Sequence, residues 1–129
     1  MEYFEKPVTD VEKKIATLLE KMAYAFSTHN SDLLHEILSE NSTLAVMVDK
    51  EKILDKNGYI DYMSEAMRKI RIISYRDVLM RIINKDEATL CCWCFISFYG
   101  KISPLVTQRY FKCRREGDTW RIVEAQYIK

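Results

Sequence analysis

One carboxylate near the end of this 129-residue sequence stands among apolar residues. Glu124 lies in a segment whose alternation predicts a β-strand. It shares one face of that strand with Trp120, Ile122, Gln126 and Ile128. Apolar surroundings raise the pKa of a carboxyl group toward the range in which general acids and bases work. If the face is concave, Glu124 is the best candidate acid or base in the chain. If the face is convex, Glu124 lies in a dimer interface and can pair with an arginine of the partner.

His29 is the second candidate for proton transfer. The apolar face of the first predicted helix, when continued, reaches this residue, where the mouth of a pocket is expected. A histidine there could act as a general base or as a pH-dependent hydrogen-bond donor. The alternative, which we favour, is that His29 ends the helix and interacts with its last carbonyl groups.

Arg109 is the candidate anion-binding residue. It shares a predicted strand face with Leu105, Thr107 and Phe111. A guanidinium group in such surroundings can bind a carboxylate through two parallel hydrogen bonds. An ion pair between neighbouring strands explains the residue equally well.

Three methionines fall on the buried faces of predicted helices, at Met22, Met63 and Met67. Methionine adapts its shape to irregular cavities, although plain core filling explains these positions at least as well. The predicted ligand-binding set therefore contains Met22, His29, Met63, Met67, Arg109 and Glu124.

Other chemistry is excluded by composition and spacing. Phosphate-binding loops need several close glycines, and the three here stand far apart, at Gly58, Gly100 and Gly117. No Ser-His-Asp order or nucleophile elbow is present. Twenty basic and nineteen acidic residues leave a net charge of +1, which gives no strong field for nucleic acid or anionic lipid. We expect no nucleic-acid partner and no membrane association.

The four cysteines indicate a reducing compartment. Cys91, Cys92 and Cys94 lie in an apolar run without turn residues, and Cys113 stands alone. Zinc knuckles need cysteine pairs on turns, so buried free thiols are the better interpretation. We expect neither a metal nor a cofactor. The N-terminus has no signal-peptide pattern, and a cytoplasmic location is expected.

The elements that position these residues follow from apolar periodicity. Thr9 and Glu12 form a capping box at the start of a helix over residues 10–28. Further helices are predicted at 32–38 and 58–69, and strands at 43–48, 53–54, 72–83, 88–99, 105–114 and 119–128. The order α-α-β-(β)-α-β-β-β-β predicts a single α+β domain over residues 1–129, with helices on one face of a curved antiparallel sheet.

The strand over 88–99 is apolar on both faces. One face carries Leu90, Cys92, Cys94, Ile96 and Phe98, and the other carries Cys91, Trp93, Phe95 and Tyr99. Apolar and polar residues would alternate along a strand that has one solvent-exposed face. The second face therefore predicts a homodimer formed through the sheet. The alternative is a cover made by the N-terminal arm, with Tyr3 and Phe4, and by long basic side chains.

Two segments resemble a known superfamily. The stretch Leu38-Ser39-Glu40-Asn41-Ser42-Thr43-Leu44 and the final hairpin Arg115-Glu116-Gly117-Asp118-Thr119-Trp120-Arg121-Ile122 are similar to nuclear transport factor 2-like domains. These include ketosteroid isomerase and the SnoaL-like cyclases. The resemblance implies a cone, in which a bent sheet wraps the long first helix and leaves an apolar pocket at the open end. It also implies that dimers form through the sheet.

The resemblance does not extend to the isomerase residues. It places the oxyanion-donating tyrosine at Met22 and the general-base aspartate near Val46, with Asp49 three residues further on. Methionine and valine can neither move a proton nor donate a hydrogen bond to an enolate. The sequence therefore predicts a homodimeric domain that binds a small, largely apolar or carboxylate-bearing molecule. The alternatives are a cofactor-free dehydratase, cyclase or isomerase-type enzyme that uses Glu124 or His29, and a non-catalytic assembly module whose pocket is filled by its own side chains.

Overall fold

A computed structural model describes residues 1–47 and 50–128. Asp49, Lys129 and the last residue of the strand predicted over 43–48 lie outside the described residues. The elements are α1 (Asp10–Thr28), α2 (Ser31–Ile37), β1 (Leu38–Met47), β2 (Glu51–Leu54), α3 (Lys56–Ala66), a 3-10 turn (Met67–Lys69), β3 (Ile70–Asn84), β4 (Glu87–Phe98), β5 (Leu105–Glu116) and β6 (Thr119–Tyr127).

The first helix has the predicted bounds because both of its ends are capped. The Thr9 hydroxyl accepts from the Glu12 amide at 3.1 Å, and the Glu12 carboxylate accepts from the Thr9 amide at 2.9 Å. The helix ends at Thr28, and its C-cap residue His29 has a left-handed backbone with φ 57°. Its buried residues form one stripe: Ile15, Ala16, Leu18, Leu19, Met22, Ala25 and Phe26.

Six elements begin one to five residues earlier than predicted, and for β1 and α3 a polar contact explains the difference. β1 starts at Leu38 instead of residue 43, since the buried Ser39 donates to the Glu116 carboxylate at 2.7 Å and so joins the sheet. α3 starts at Lys56 instead of residue 58. Asp55 caps it by accepting from the Gly58 amide at 2.8 Å.

The six strands form one sheet in the order β2-β1-β6-β5-β4-β3. β3 to β6 are successive antiparallel neighbours, as predicted, whereas β1 runs parallel to β6. α1 packs against β3 and β6, and α3 packs against β1. The helices therefore cover one face, called the inner face here, and the predicted α+β fold class is confirmed. None of the helices in the described ranges is long and apolar enough to cross a membrane.

A bulge in β6 changes which residues share a face. Ile122 pairs with Cys113 and Glu124 pairs with Lys112, so Val123 is left without a partner on β5. Because facing alternates along a strand, the extra residue puts Ile122 and Glu124 on opposite faces. The predicted common face of these two residues is wrong.

The outer face of the sheet carries the second apolar side of β4. Trp93 is 42% exposed, Phe95 is partly buried, and the Arg76 guanidinium lies 4.1 Å from the Phe95 ring centre. The N-terminal arm does not lie over β4. It extends the sheet beyond β3, where Tyr3 pairs with Val78.

Candidate functional site

A cavity of about 150 Å³ lies between the helices and the inner face of the sheet. Apolar side chains make most of its wall, among them Met22, Phe26, Met63, Ile73 and Phe111. Met47 and Leu105 also line it and are about half exposed. These two residues mark its opening to solvent.

Arg109 brings a positive charge into this apolar wall. Its residue is only 8% exposed, and β5 places it on the inner face beside Phe111. Nε donates to the Gln126 carbonyl at 3.2 Å and Nη2 donates to the Ala45 carbonyl at 3.4 Å. The guanidinium carbon lies 4.0 Å from the centre of the Tyr127 ring, within the range of a cation–π interaction.

The guanidinium of Arg109 has unused hydrogen-bonding capacity. Arginine carries five N–H donors, and residues 1–47 and 50–128 provide acceptors for two of them, which leaves three. None of the ion pairs among residues 1–47 and 50–128 includes Arg109. The predicted inter-strand ion pair is therefore not found in this part of the chain.

Two tyrosines add polar groups to the same cavity. Tyr59 of α3 is 3% exposed and Tyr75 of β3 is 1% exposed, and both line the cavity. Burial raises the pKa of each phenol well above 10, so both hydroxyls keep their proton and can donate it in a hydrogen bond. In the described structure neither hydroxyl makes a hydrogen bond to the protein, whereas the Tyr62 hydroxyl donates to the Met47 carbonyl at 3.5 Å.

The sequence prediction did not include these tyrosines as site residues. Tyr59 lies within the helix predicted at 58–69, and Tyr75 lies within the strand predicted at 72–83. The sequence offered one signal for these site residues. Each tyrosine carries a polar hydroxyl at an inward position of an element that encloses a pocket.

The buried thiols carry no nucleophilic chemistry near neutral pH. Burial raises the pKa of Cys92 and Cys113 to about 12 and that of Cys94, which lines the cavity, to about 11. Thiolates are the reactive form. All four cysteines are free.

Glu124 lies on the outer face, beside Lys112 and on the other side of the sheet from Phe111 and Ala125. Its carboxylate accepts a hydrogen bond from the Gln126 side chain. The described lining of the cavity does not include it. The bulge at Val123 is the physical reason.

His29 lies at the end of α1 and is exposed. Its Nε2 is 3.0 Å from the Ile70 carbonyl, and because a carbonyl only accepts, Nε2 carries the hydrogen. Neither His29 nor the fully buried Met67 belongs to the described lining, whereas Met22, Met63 and Arg109 do. The structure thus brings three of the six predicted residues together.

Comparison with solved structures places this architecture among known folds. A protein from Pseudomonas putida described as NTF2-like and of unknown function is 12% identical, with 95% of this chain and 88% of that chain covered and a TM-score of 0.78. A proposed ketosteroid isomerase from Shewanella frigidimarina is 12% identical, with 99% and 100% covered and a TM-score of 0.73. The chain has the nuclear transport factor 2-like fold.

A third similar structure shows how varied the proteins with this fold are. It is a proposed calcium/calmodulin dependent protein kinase II association domain from Xanthomonas campestris, 16% identical, with 98% and 95% of the two chains covered and a TM-score of 0.78. No protein-family model matches the sequence, and neither does any curated protein. Because a fold of this kind hosts unrelated activities, function has to be argued from the site.

Proposed function

We propose that this nuclear transport factor 2-like protein binds a small, largely apolar carboxylic acid in its cavity. Arg109 is the anchor for the carboxylate. The observation that carries the proposal is a buried guanidinium in an apolar cavity, with no carboxylate among the described ion pairs and three unused N–H donors.

The energetics of a buried charge support a ligand of opposite sign. Moving a cation out of water costs several kcal/mol unless partners replace the lost hydration. Two carbonyl oxygens and the Tyr127 ring offset part of that cost for Arg109. A carboxylate would use the remaining donors, and each charge-assisted hydrogen bond stabilises a complex by about 1.5–3 kcal/mol.

The size of the cavity limits the ligand. A volume of about 150 Å³ matches that of an engineered protein cavity that binds benzene. It is smaller than the roughly 300 Å³ at which pockets for drug-sized molecules begin. The ligand is therefore a single-ring or short branched acid rather than a fused-ring compound.

Calorimetric titration with matched probes tests this function. We expect benzoate to bind and the neutral benzyl alcohol, which has the same carbon skeleton, to bind at least about tenfold more weakly. Arg109→Met should remove the preference, whereas Arg68→Gln, which changes an exposed arginine, should keep it. Equal affinity of the wild type for the two probes, or no binding of either, contradicts the proposal.

Binding is favoured over the two alternative functions. A cavity of about 150 Å³ does not support an assembly module whose pocket is filled by its own side chains. Proton-transfer catalysis by Glu124 or His29 would need these groups at the cavity, and Glu124 lies on the outer face. The solved isomerase-like relative supports a small-molecule site of some kind.

We also propose a homodimer formed through the outer face of the sheet. Trp93, Leu79 and Val106 are more than 40% exposed, and Phe95 extends this apolar area. Phe95→Glu should give a folded monomer by light scattering when the wild type is a dimer. Ile102→Glu, which places the same charge on an exposed hairpin tip, should leave the mass unchanged. A dimeric Phe95→Glu variant removes this face from the interface.

The cysteines support a cytoplasmic location. Three of the four are buried and all are free, which is typical of proteins from reducing compartments.

A further inference from the structure

Tyr59 and Tyr75 narrow the proposed ligand to one class of carboxylic acid. Resting on the assignment of Arg109 as the carboxylate anchor, we infer that the ligand is an oxo acid whose carbonyl oxygen accepts hydrogen bonds from the Tyr59 and Tyr75 hydroxyls.

The first argument is the state of the two hydroxyls. Both side chains are more than nine-tenths buried and line the cavity, and the described residues provide no partner for either hydroxyl. Among the described residues, the fully buried side-chain oxygens without a partner are those of Ser42 and Thr107, so both tyrosine hydroxyls reach the open space of the cavity. A ligand in that space can accept a hydrogen bond from each hydroxyl.

The second argument is rigidity. The Tyr75 ring meets the Phe111 ring edge to face, with centres 6.0 Å apart. Tyr59 lies in the first turn of α3, which is fixed by the Asp55 cap. Donors held in place before binding lose little conformational entropy when a ligand arrives.

The third argument is the chemistry of the donors. Burial is the largest cause of the raised pKa of both phenols, so they stay neutral and can donate at all physiological pH values. A ketone oxygen accepts hydrogen bonds and needs none in return. An added ammonium group would instead lie in the same cavity as the Arg109 cation, where like charges repel.

The fourth argument is the distance between Tyr75 and Arg109 across the sheet. Tyr75 of β3 is opposite Cys94 of β4, which is opposite Thr107 of β5, two residues before Arg109. Neighbouring strands are about 4.8 Å apart, so the Tyr75 and Arg109 backbones are more than two strand spacings apart. This backbone separation favours ring acids whose oxo group is at position 3 or 4 over 2-oxo acids.

Titration with cyclohexanecarboxylate and with its 3-oxo and 4-oxo derivatives tests the inference. These probes have the same carbon skeleton and differ in one acceptor. We expect at least one oxo acid to bind the wild type about five- to tenfold more tightly than the parent acid.

Phenylalanine variants identify the donors. Tyr59→Phe and Tyr75→Phe remove only a hydroxyl, and each should reduce the preference for the oxo acid, while the double variant should abolish it. Tyr24→Phe is the matched control, since Tyr24 is 61% exposed and is not part of the described lining of the cavity. Its preference should equal that of the wild type.

The outcomes separate the two proposals. If all three acids bind with the same affinity, the inference fails and the function proposed for Arg109 stands. If none binds to folded wild-type protein, both fail. A preference for the oxo acid that survives in the double variant also overturns the inference. The wild-type affinity ratio decides the matter even if a variant does not fold.

Discussion

A larger side chain in the wall of the cavity provides a test. The decisive result is whether the free energy of unfolding rises or falls. Ala66 lies at the end of α3 and lines the cavity. Ala66→Leu adds three carbon atoms beside a space of about 150 Å³. At about 0.8 kcal/mol for each buried methylene, filling the space should raise the free energy of unfolding by up to about 2 kcal/mol. The same side chain should block binding of benzoate.

Urea denaturation and calorimetry measure the two effects. The matched control is Ala25→Leu, because Ala25 is a fully buried helical alanine in the core that does not line the cavity. Extra volume in a well-packed core costs about 1–3 kcal/mol, so this variant should be destabilised. If Ala66→Leu is destabilised as much as Ala25→Leu, or still binds benzoate as the wild type does, the cavity does not serve as a binding site.

Two further predictions concern stability. The pKa values of Cys92, Cys94 and Cys113 rise from 9.0 to between about 11 and 12 on burial, so the unfolded chain releases these protons first. The contribution of these thiols to stability should therefore be constant below pH 9 and fall by up to about 1.4 kcal/mol per thiol for each pH unit between 9 and 11. Urea unfolding at pH 8 and at pH 10 checks this, and equal stability at the two values contradicts it. Thr9→Ala removes the capping hydroxyl that accepts from the Glu12 amide, and thermal unfolding should show a loss of about 1 kcal/mol. A loss below about 0.3 kcal/mol would show that the capping box does not fix the start of α1.

The sequence predicts elements well where a local signal marks them. The capping box of Thr9 and Glu12 marks the start of α1, and alternating apolar residues mark β3 to β6. Alternation along β5 likewise places Arg109 on the same face as Phe111. Each of these signals lies within a few residues of what it predicts.

Prediction from the sequence fails where the local structure depends on residues that are far apart along the chain. The bulge at Val123 carries no residue type that would reveal it, yet it moves Glu124 to the outer face. The early start of β1 depends on a bond between Ser39 and Glu116, 77 residues apart. The unbonded state of the Tyr59 hydroxyl depends on every side chain around the cavity, which periodicity along one strand or helix does not describe.

The nitrogen NMR signal of the Arg109 side chain tests the central claim most directly. Its Nε–H is held by the Gln126 carbonyl at 3.2 Å and should give a slowly exchanging signal, assigned by its loss in Arg109→Lys. Titration with benzoate should shift this signal in a saturable way, with the same dissociation constant as calorimetry gives. An Arg109 signal that stays unchanged at saturating benzoate, while signals of exposed arginines shift, would contradict the account.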